Sequence, residues 1–383
     1  MRFGIVKERQ PGERRVAASP DSVKKLKALG ADVVIEAGAG AGASVPDARF
    51  VEAGATIAAS AVDVLSGVDV VLKVRRPLGA GDGEVDELGA MRSGTVLVGL
   101  LNPLLRRTDV AAYARAGLTA FSLELLPRIT RAQGMDALSS QSSVAGYKAV
   151  LDAAAWLDRM MPMMMTAAGT IAPSRVLVLG AGVAGLQAIA TARRLGAIVA
   201  AFDVRAAVKE EVQSLGASFI EVAPEENVTA QTAGGYASEM SKAYLERQAQ
   251  AIREAIVKTD IVVTTALIPG KPAPRLVSAD MIELMKPGAV IIDMAADAGG
   301  NCELTERGRA VVKNGVTIVG EGNYPSLVAT DASALYARNL VNFVTPLVDK
   351  TKGTLAIDWN DEIVKGTLLT RDGAVVHPLL GSG

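Results

Sequence analysis

RVLVLGAGVAGLQAIATARRLGAIVAAFD, running from Arg175 to Asp203, is the stretch on which the fold of this chain turns. An apolar run leads directly into Gly180-x-Gly182-x-x-Gly185, then into a helical pattern, and then into a second apolar run that ends in an acid. The three glycines have separate jobs in that setting. Gly180 permits a tight turn out of a strand, Gly182 lets a pyrophosphate approach the backbone, and Gly185 lets helix and strand pack closely. The helix start adds amide donors and the positive end of a dipole, so the phosphate cradle runs over Gly180, Ala181, Gly182, Val183 and Gly185. Asp203 lies 203 − 180 = 23 residues beyond the first glycine, close to the roughly 20 expected of a carboxylate that accepts from a ribose 2′-hydroxyl. A glycine triplet alone is also an ordinary turn. The strand before it, the helix after it and the acid beyond make this one a dinucleotide-binding βαβ unit.

The same acid bears on the choice of cofactor. A carboxylate repels the 2′-phosphate of NADP, which favours NAD, with Val204 and Arg205 at the same ribose edge. Arg205 is the one feature that argues the other way, but an arginine that selects the phosphate usually replaces the acid instead of accompanying it. Its plain alternative is a helix-start residue that contacts solvent or the ribose edge.

Working outward, apolar runs recur on both sides of this unit. Before it come FGIV near Phe3, ADVVIE at Ala31–Glu36, VDVVLKV at Val68–Val74, TVLVGLL at Thr95–Leu101 and LTAFSLE at Leu118–Glu124. After it come SFIEV at Ser218–Val222, DIVVTTA at Asp260–Ala266, AVIIDMA at Ala289–Ala295 and VTIVG at Val316–Gly320. Strands separated by helix-length segments mean parallel βαβ units. The expected class is therefore α/β, with two doubly wound Rossmann-like domains whose sheets are parallel. Ser139 to about Met161 and Ala332–Val344 read as two long connecting helices, and short β runs flank a turn at Arg371-Asp372-Gly373. The two helices suggest that the second domain is inserted. Residues 139–328 would form the NAD-binding domain, and residues 1–138 with 329–383 the other; a tandem order would leave the same local patterns.

Composition fits this picture. In 383 residues, 50% hydrophobic content with 4% aromatics and 38 glycines describes an alanine- and valine-rich α/β protein. A formal net charge of −1 gives no global pull toward nucleic acid or anionic lipid. The single cysteine, Cys302, excludes an internal disulfide, and with one histidine, His377, the usual metal ligands are scarce. No apolar stretch approaches the ~18 to 20 residues of a spanning helix, and MRFGIVKE reads as a strand, so a soluble cytoplasmic chain is expected.

Four further segments attract notice. TTALIPGKPAP, Thr264–Pro274, leaves a strand end, where open α/β sheets bind ligands, and its Ala266 and Leu267 are placed to meet a nicotinamide. APEENVTAQTAGGYASEMSK, Ala223–Lys242, is longer than an ordinary connection and reads as a lid or partner-binding loop, or else as a surface insertion. MMPMMM, Met160–Met165, reads as adaptable packing between domains. PRITRAQGMDALSSQ, Pro127–Gln141, is dense in polar groups yet holds no histidine, cysteine or carboxylate pair for acid-base work.

Together, KERQPGERRVAASP at Lys7–Pro20, VLKVRRP at Val71–Pro77, RITRAQGMDALSSQ, GAGVAGLQA, TTALIPGKPAP and DMAADAGGNCE resemble the NAD(H)-binding component of proton-translocating nicotinamide nucleotide transhydrogenases, essentially end to end. That resemblance implies direct hydride transfer between NADH bound here and NADP+ on a partner component. It implies a homodimer, docked with an NADP(H)-binding component on a proton-conducting membrane subunit, and hence a peripheral place at the inner membrane. It also implies that Arg128, Gln133, Asp136 and Ser139 orient the nicotinamide and its ribose, with Tyr236 closing nearby, and that Gly235, Gln248 and Leu267 line the NAD site. The chain's end in GSG at Gly383 fits a separate soluble subunit. Alanine dehydrogenases share the superfamily, and their substrate-binding arginine and lysine match Arg15 and Lys73. Their catalytic histidine does not match: the strand end here reads Gly99-Leu100-Leu101, and the only histidine is 377 − 99 = 278 residues beyond Gly99. Oxidising an amino acid needs a proton acceptor, whereas exchange between two nicotinamides needs only alignment and exclusion of water.

Overall fold

Runs of valine and isoleucine suit a pleated surface buried on both faces, and each apolar run named above contains a strand. The computed structural model describes residues 1–223, 240–268 and 270–381. The chain divides into two units, Met1–Gln141 with Pro325–Gly383, and Ser142–Tyr324. In chain order the strands are β1 (Arg2–Ile5), β2 (Asp32–Glu36), β3 (Thr56–Ala58), β4 (Val70–Leu72), β5 (Val96–Gly99) and β6 (Thr119–Ser122). The second unit holds β7 (Met164–Thr166), β8 (Gly169–Ile171), β9 (Arg175–Leu179), β10 (Ile198–Phe202), β11 (Ser218–Phe219), β12 (Ile261–Thr264), β13 (Val290–Asp293), β14 (Ala310–Lys313) and β15 (Val316–Val319). The tail adds β16 (Val348–Asp349), β17 (Thr354–Leu355), β18 (Leu368–Arg371) and β19 (Ala374–Val375).

The first unit is built on a sheet of order β19-β18-β6-β5-β4-β1-β2-β3, and the second on β11-β10-β9-β12-β13-β15-β14. Each contains the doubly wound order, in which the chain steps outward from a central strand, returns, and steps outward on the other side. The fold class is α/β with two Rossmann-like sheets dominated by parallel pairs, as the strand periodicity predicts. Neither sheet is purely parallel, however. β14 runs antiparallel to β15, and β18 antiparallel to both β6 and β19. For β14–β15 and β18–β19 the cause is local: Asn314-Gly315 and Asp372-Gly373 have φ of 50° and 75°, and of 50° and 78°, the left-handed pairs that close tight hairpins. The second turn is in the expected place. The first carries the same Asn-Gly signal in KNGV.

Helix Ala329–Val344 buries Tyr336, Leu340, Phe343 and Val344 in the first unit, where Phe343 meets Phe121 edge-on at 5.6 Å between ring centroids. The other long helix spans Ala137–Trp156. In the second unit Leu177, Leu179, Phe202, Ile252, Val262 and Ile291 share one core that backs the ligand edge of the sheet. In the methionine run Met161 is buried, whereas Met163, Met164 and Met165 are exposed, and among the described residues β7 and β8 pair only with each other, as an antiparallel hairpin whose residues are all exposed. Among the described residues no helix is long and apolar enough to cross a membrane.

Candidate functional site

In the second unit the parallel pairs β9–β10 and β9–β12 put their carboxyl ends side by side. The sheet's direction of progression reverses at β9, and ligands of open α/β sheets bind beyond the strand ends at such a reversal. Gly180 leaves β9 with φ of 100°, and a side chain there would lie 2.7 Å from Thr265 Oγ1. Thr265 in turn donates its hydroxyl to Gly180 O at 2.9 Å, so the turn is held from the β12 side. Gly185, one turn into helix Val183–Arg194, lies so close to the strand exit that a Cβ would sit 1.8 Å from Gly180 O. Gly182 differs from both. A Cβ there would have Arg205 Nη2 as its nearest neighbour, at 3.8 Å, and as N-cap Gly182 makes no side-chain bond to the helix start. The twelve-residue helix thus opens its amide end onto free space, which suits a diphosphate. Val183 beside it is exposed.

Asp203 follows β10 and is buried, with an exposure of 8%. Its Oδ2 accepts from Ala181 N at 2.8 Å and Arg205 Nη2 at 2.7 Å, and its Oδ1 from Arg205 N and Nε at 2.9 Å each. Arg205, the N-cap of the short helix Ala206–Val208, folds its guanidinium back on Asp203, two residues before it, in the fork geometry that suits a carboxylate. The hydrogen bonds that Arg205 donates to Asp203 raise the Arg205 pKa above its ordinary value, against the opposing effect of burial. Val204 and Ala266 pack partly against the core beside it.

Gln248 lies on helix Lys242–Ile256 with its side chain buried, and its Oε1 has no hydrogen-bond partner among the described residues. A buried acceptor without a donor is costly, and a ligand hydroxyl would satisfy it. Leu267 is half exposed, its apolar side chain open beyond the end of β12. Gly235 and Tyr236 lie outside the described residues. The open ground at Gly182, the acid at the end of β10 and the orphaned Gln248 acceptor together fit a dinucleotide.

In the first unit the polar stretch is short turns of helix, Thr130–Met135, leading into helix Ala137–Trp156. Asp136 caps that helix, accepting from Ser139 N at 2.9 Å and from Ser139 Oγ at 2.6 Å. Arg128 and Gln133 are exposed. The stretch is held from behind by Asn339 and Asn342, which both donate to Gly134 O, at 3.0 and 2.8 Å, and by the Arg131–Asp361 ion pair at 2.7 Å. Sequence reasoning missed the two asparagines, Thr265 and Asn301, because each acts on backbone far away in the chain.

Arg15 and Lys73 are both buried and both engaged. Arg15 grips Glu13 through Nε at 2.8 Å and Nη2 at 2.7 Å and donates to Gln141 Oε1 at 2.8 Å. Burial pushes the Glu13 carboxyl up, but the bonds and charge of Arg15, with Arg75, prevail and hold it well below the usual carboxylate range. Lys73 lies 3.0 Å from Glu87 and 3.3 Å from Glu8. His377 sits in the tail: its Nδ1 accepts from Leu379 N at 3.2 Å, which leaves Nε2 to donate to Gly366 O at 3.1 Å. Cys302 is buried, and burial raises its thiol pKa.

Residues 4–145 match the alanine dehydrogenase/PNT N-terminal domain, and residues 149–378 the alanine dehydrogenase/PNT C-terminal domain. The chain belongs to the alanine dehydrogenase/PNT family. It is 58% identical over 380 residues to the first portion of NAD(P) transhydrogenase subunit alpha of Rhodospirillum rubrum, covering 99% of both chains. A crystal structure of transhydrogenase from Sinorhizobium meliloti superposes with a TM-score of 0.88 at 50% identity, over 98% of this chain and 100% of that one. The alanine dehydrogenase of Mycobacterium tuberculosis is 33% identical over 303 residues, 78% of this chain and 74% of its own. Within the alanine dehydrogenase/PNT family the chain thus stands nearer to these two transhydrogenases than to that dehydrogenase.

Proposed function

We propose that this chain is the NAD(H)-binding subunit of a proton-translocating transhydrogenase. In this reading the cradle at Gly180–Gly185 holds the pyrophosphate, and Asp203 with Gln248 takes ribose hydroxyls on the adenosine side. Ala266 and Leu267 face the nicotinamide half, because β12 lies on the far side of β9 from β10. Arg128, Gln133, Asp136 and Ser139 orient the ring and its ribose, Tyr236 closes nearby, and Gly235 borders the site. When bound, NADH supplies the hydride that NADP+ on a partner component accepts. The side chains here need only position the ring and exclude water, since neither proton uptake nor release accompanies the exchange. The chain acts as a homodimer on a membrane subunit that couples transfer to proton translocation, and so lies on the cytoplasmic side of the inner membrane.

The observation that carries this reading is how the two cations that match those of the dehydrogenases are used: Arg15 is occupied by Glu13, and Lys73 by Glu87 and Glu8. His377, which matches nothing there, is held by two backbone groups in the tail. An amino-acid substrate would have to displace a buried internal carboxylate from each cation and would then find no base at the Gly99 strand end. The experiment is reconstitution: the chain is mixed with the NADP(H)-binding component of a transhydrogenase, and transfer from NADH to an NADP+ analogue is followed. Transfer in the complex is expected. A complex that forms but transfers nothing would overturn the assignment, and NAD-dependent oxidation of alanine by the isolated chain would replace it with the dehydrogenase reading.

A further inference from the structure

Asn301 has no place in the chemistry proposed so far, although it lies in the signature DMAADAGGNCE. Its side chain is completely buried. Its Oδ1 accepts from Ala266 N at 3.0 Å, and its Nδ2 donates to Ala266 O at 2.9 Å and to Pro274 O at 2.8 Å. One carboxamide therefore satisfies both polar groups of Ala266, as a neighbouring strand would, just where β12 has ended and no strand can pair with it. The asparagine is itself held firmly. Its own carbonyl accepts from Leu276 N at 2.8 Å and Val277 N at 3.1 Å, and the next residue's amide, Cys302 N, donates to the buried Asp293 at 2.9 Å. Thr265 and Ala266 stand against the Gly180 turn, so their path fixes one wall of the cradle.

We infer that Asn301 is a positioning residue for the nicotinamide half of the dinucleotide, acting through the backbone of Ala266 and the exposed face of Leu267. The inference rests on the reading that the nicotinamide lies beyond β12. Asn301 touches no reacting atom; it sets where Ala266 and Leu267 stand. It belongs to the β12 side of the site, whereas Asp203 belongs to the β10 side, so its loss should act on one half of the cofactor.

The test uses Asn301→Asp, which keeps the acceptor for Ala266 N but turns an oxygen toward two carbonyls, and Asn301→Ala, which removes the whole grip should the aspartate not fold. Each variant is measured for single-turnover hydride transfer in the reconstituted complex at saturating NADH, and for equilibrium binding of ADP-ribose, which lacks the nicotinamide. A displacement of about 1 Å can slow a reaction ~100-fold, so transfer is expected to fall at least about tenfold while ADP-ribose binds within about twofold of the unaltered chain. Normal transfer would overturn the inference. So would a parallel loss of ADP-ribose binding, because Asn301 would then brace the unit as a whole. Failure of the unaltered complex to transfer hydride would instead sink the functional reading beneath it.

Discussion

Asp203 and Arg205 form a closed set, since the four N–H groups on the carboxylate already fill its usual acceptor positions. A ribose hydroxyl can join only if the guanidinium yields one bond, so cofactor choice belongs to the pair. Replacing Asp203 with alanine removes an ionised acceptor for the hydroxyl, a loss worth about 1.5 to 3 kcal/mol, or roughly ten- to a hundredfold in NADH affinity. It also releases the Arg205 charge at the position a 2′-phosphate would take. The expected outcome in equilibrium titrations is weaker NADH, relatively stronger NADPH, and loss of that NADPH gain when Arg205→Ala is added. An unchanged NADH-to-NADPH preference in Asp203→Ala would refute the assignment. The acid is legible in the sequence because its distance from Gly180 is set by one helix and one strand. The partner of Arg205 is not, since a side chain's direction two residues beyond a strand end is decided by local geometry that spacing does not encode.

At the scale of elements, the polar stretch Pro127–Gln141 does two jobs whose residues can be separated. Asp136 is a helix cap, and Asn339 and Asn342 fix the Gly134 carbonyl, while Arg128 and Gln133 stand exposed. An N-cap changed to alanine typically costs about 1 kcal/mol, whereas asparagine caps nearly as well as aspartate. Asp136→Ala should therefore lower the melting temperature, and Asp136→Asn should leave it nearly unchanged. If the stretch positions the nicotinamide, Asp136→Asn and Gln133→Asn slow single-turnover transfer far more than they weaken NADH binding, which falls by about tenfold at most because one neutral hydrogen bond is worth only ~0.5 to 1.5 kcal/mol. Normal transfer beside depressed melting would leave the stretch a structural strap. The parallel strands and the Asp372-Gly373 turn are readable in the sequence because each depends on neighbouring residues. β3, Thr56-Ile57-Ala58, has one large apolar residue and so no apolar run to stand out, and the Asn314-Gly315 signal is masked because VTIVG reads as one more parallel strand. The grips of Asn301 on Ala266 and of Asn339 on Gly134 cannot be read, since each joins segments that only the finished sheet order brings together.

For the molecule as a whole, the hairpin β7–β8 is the part that the second unit does not explain by itself. An isolated two-stranded hairpin is marginal in water, and this one exposes Met164, Met165 and Ile171 with no third strand among the described residues. Methionine is flexible and polarizable, so such an arm suits an apolar surface that it must mould itself to. The proposed homodimer supplies one: a second copy of the chain, whose burial of the arm would offset the cost of ordering it. Near-zero net charge adds little long-range repulsion between two copies. Met164→Glu with Met165→Glu would place two charges where the partner's surface must dry, a cost that grows steeply unless they are paired. Sedimentation should then show the variant as a monomer where the unaltered chain sediments as a dimer. NADH affinity should be preserved, because no residue of the cradle at Gly180–Gly185 or of the Asp203–Arg205 pair is touched. A variant that remains dimeric would move the interface elsewhere, and a monomer that has also lost NADH would mean that the arm supports the fold of the second unit and not its assembly.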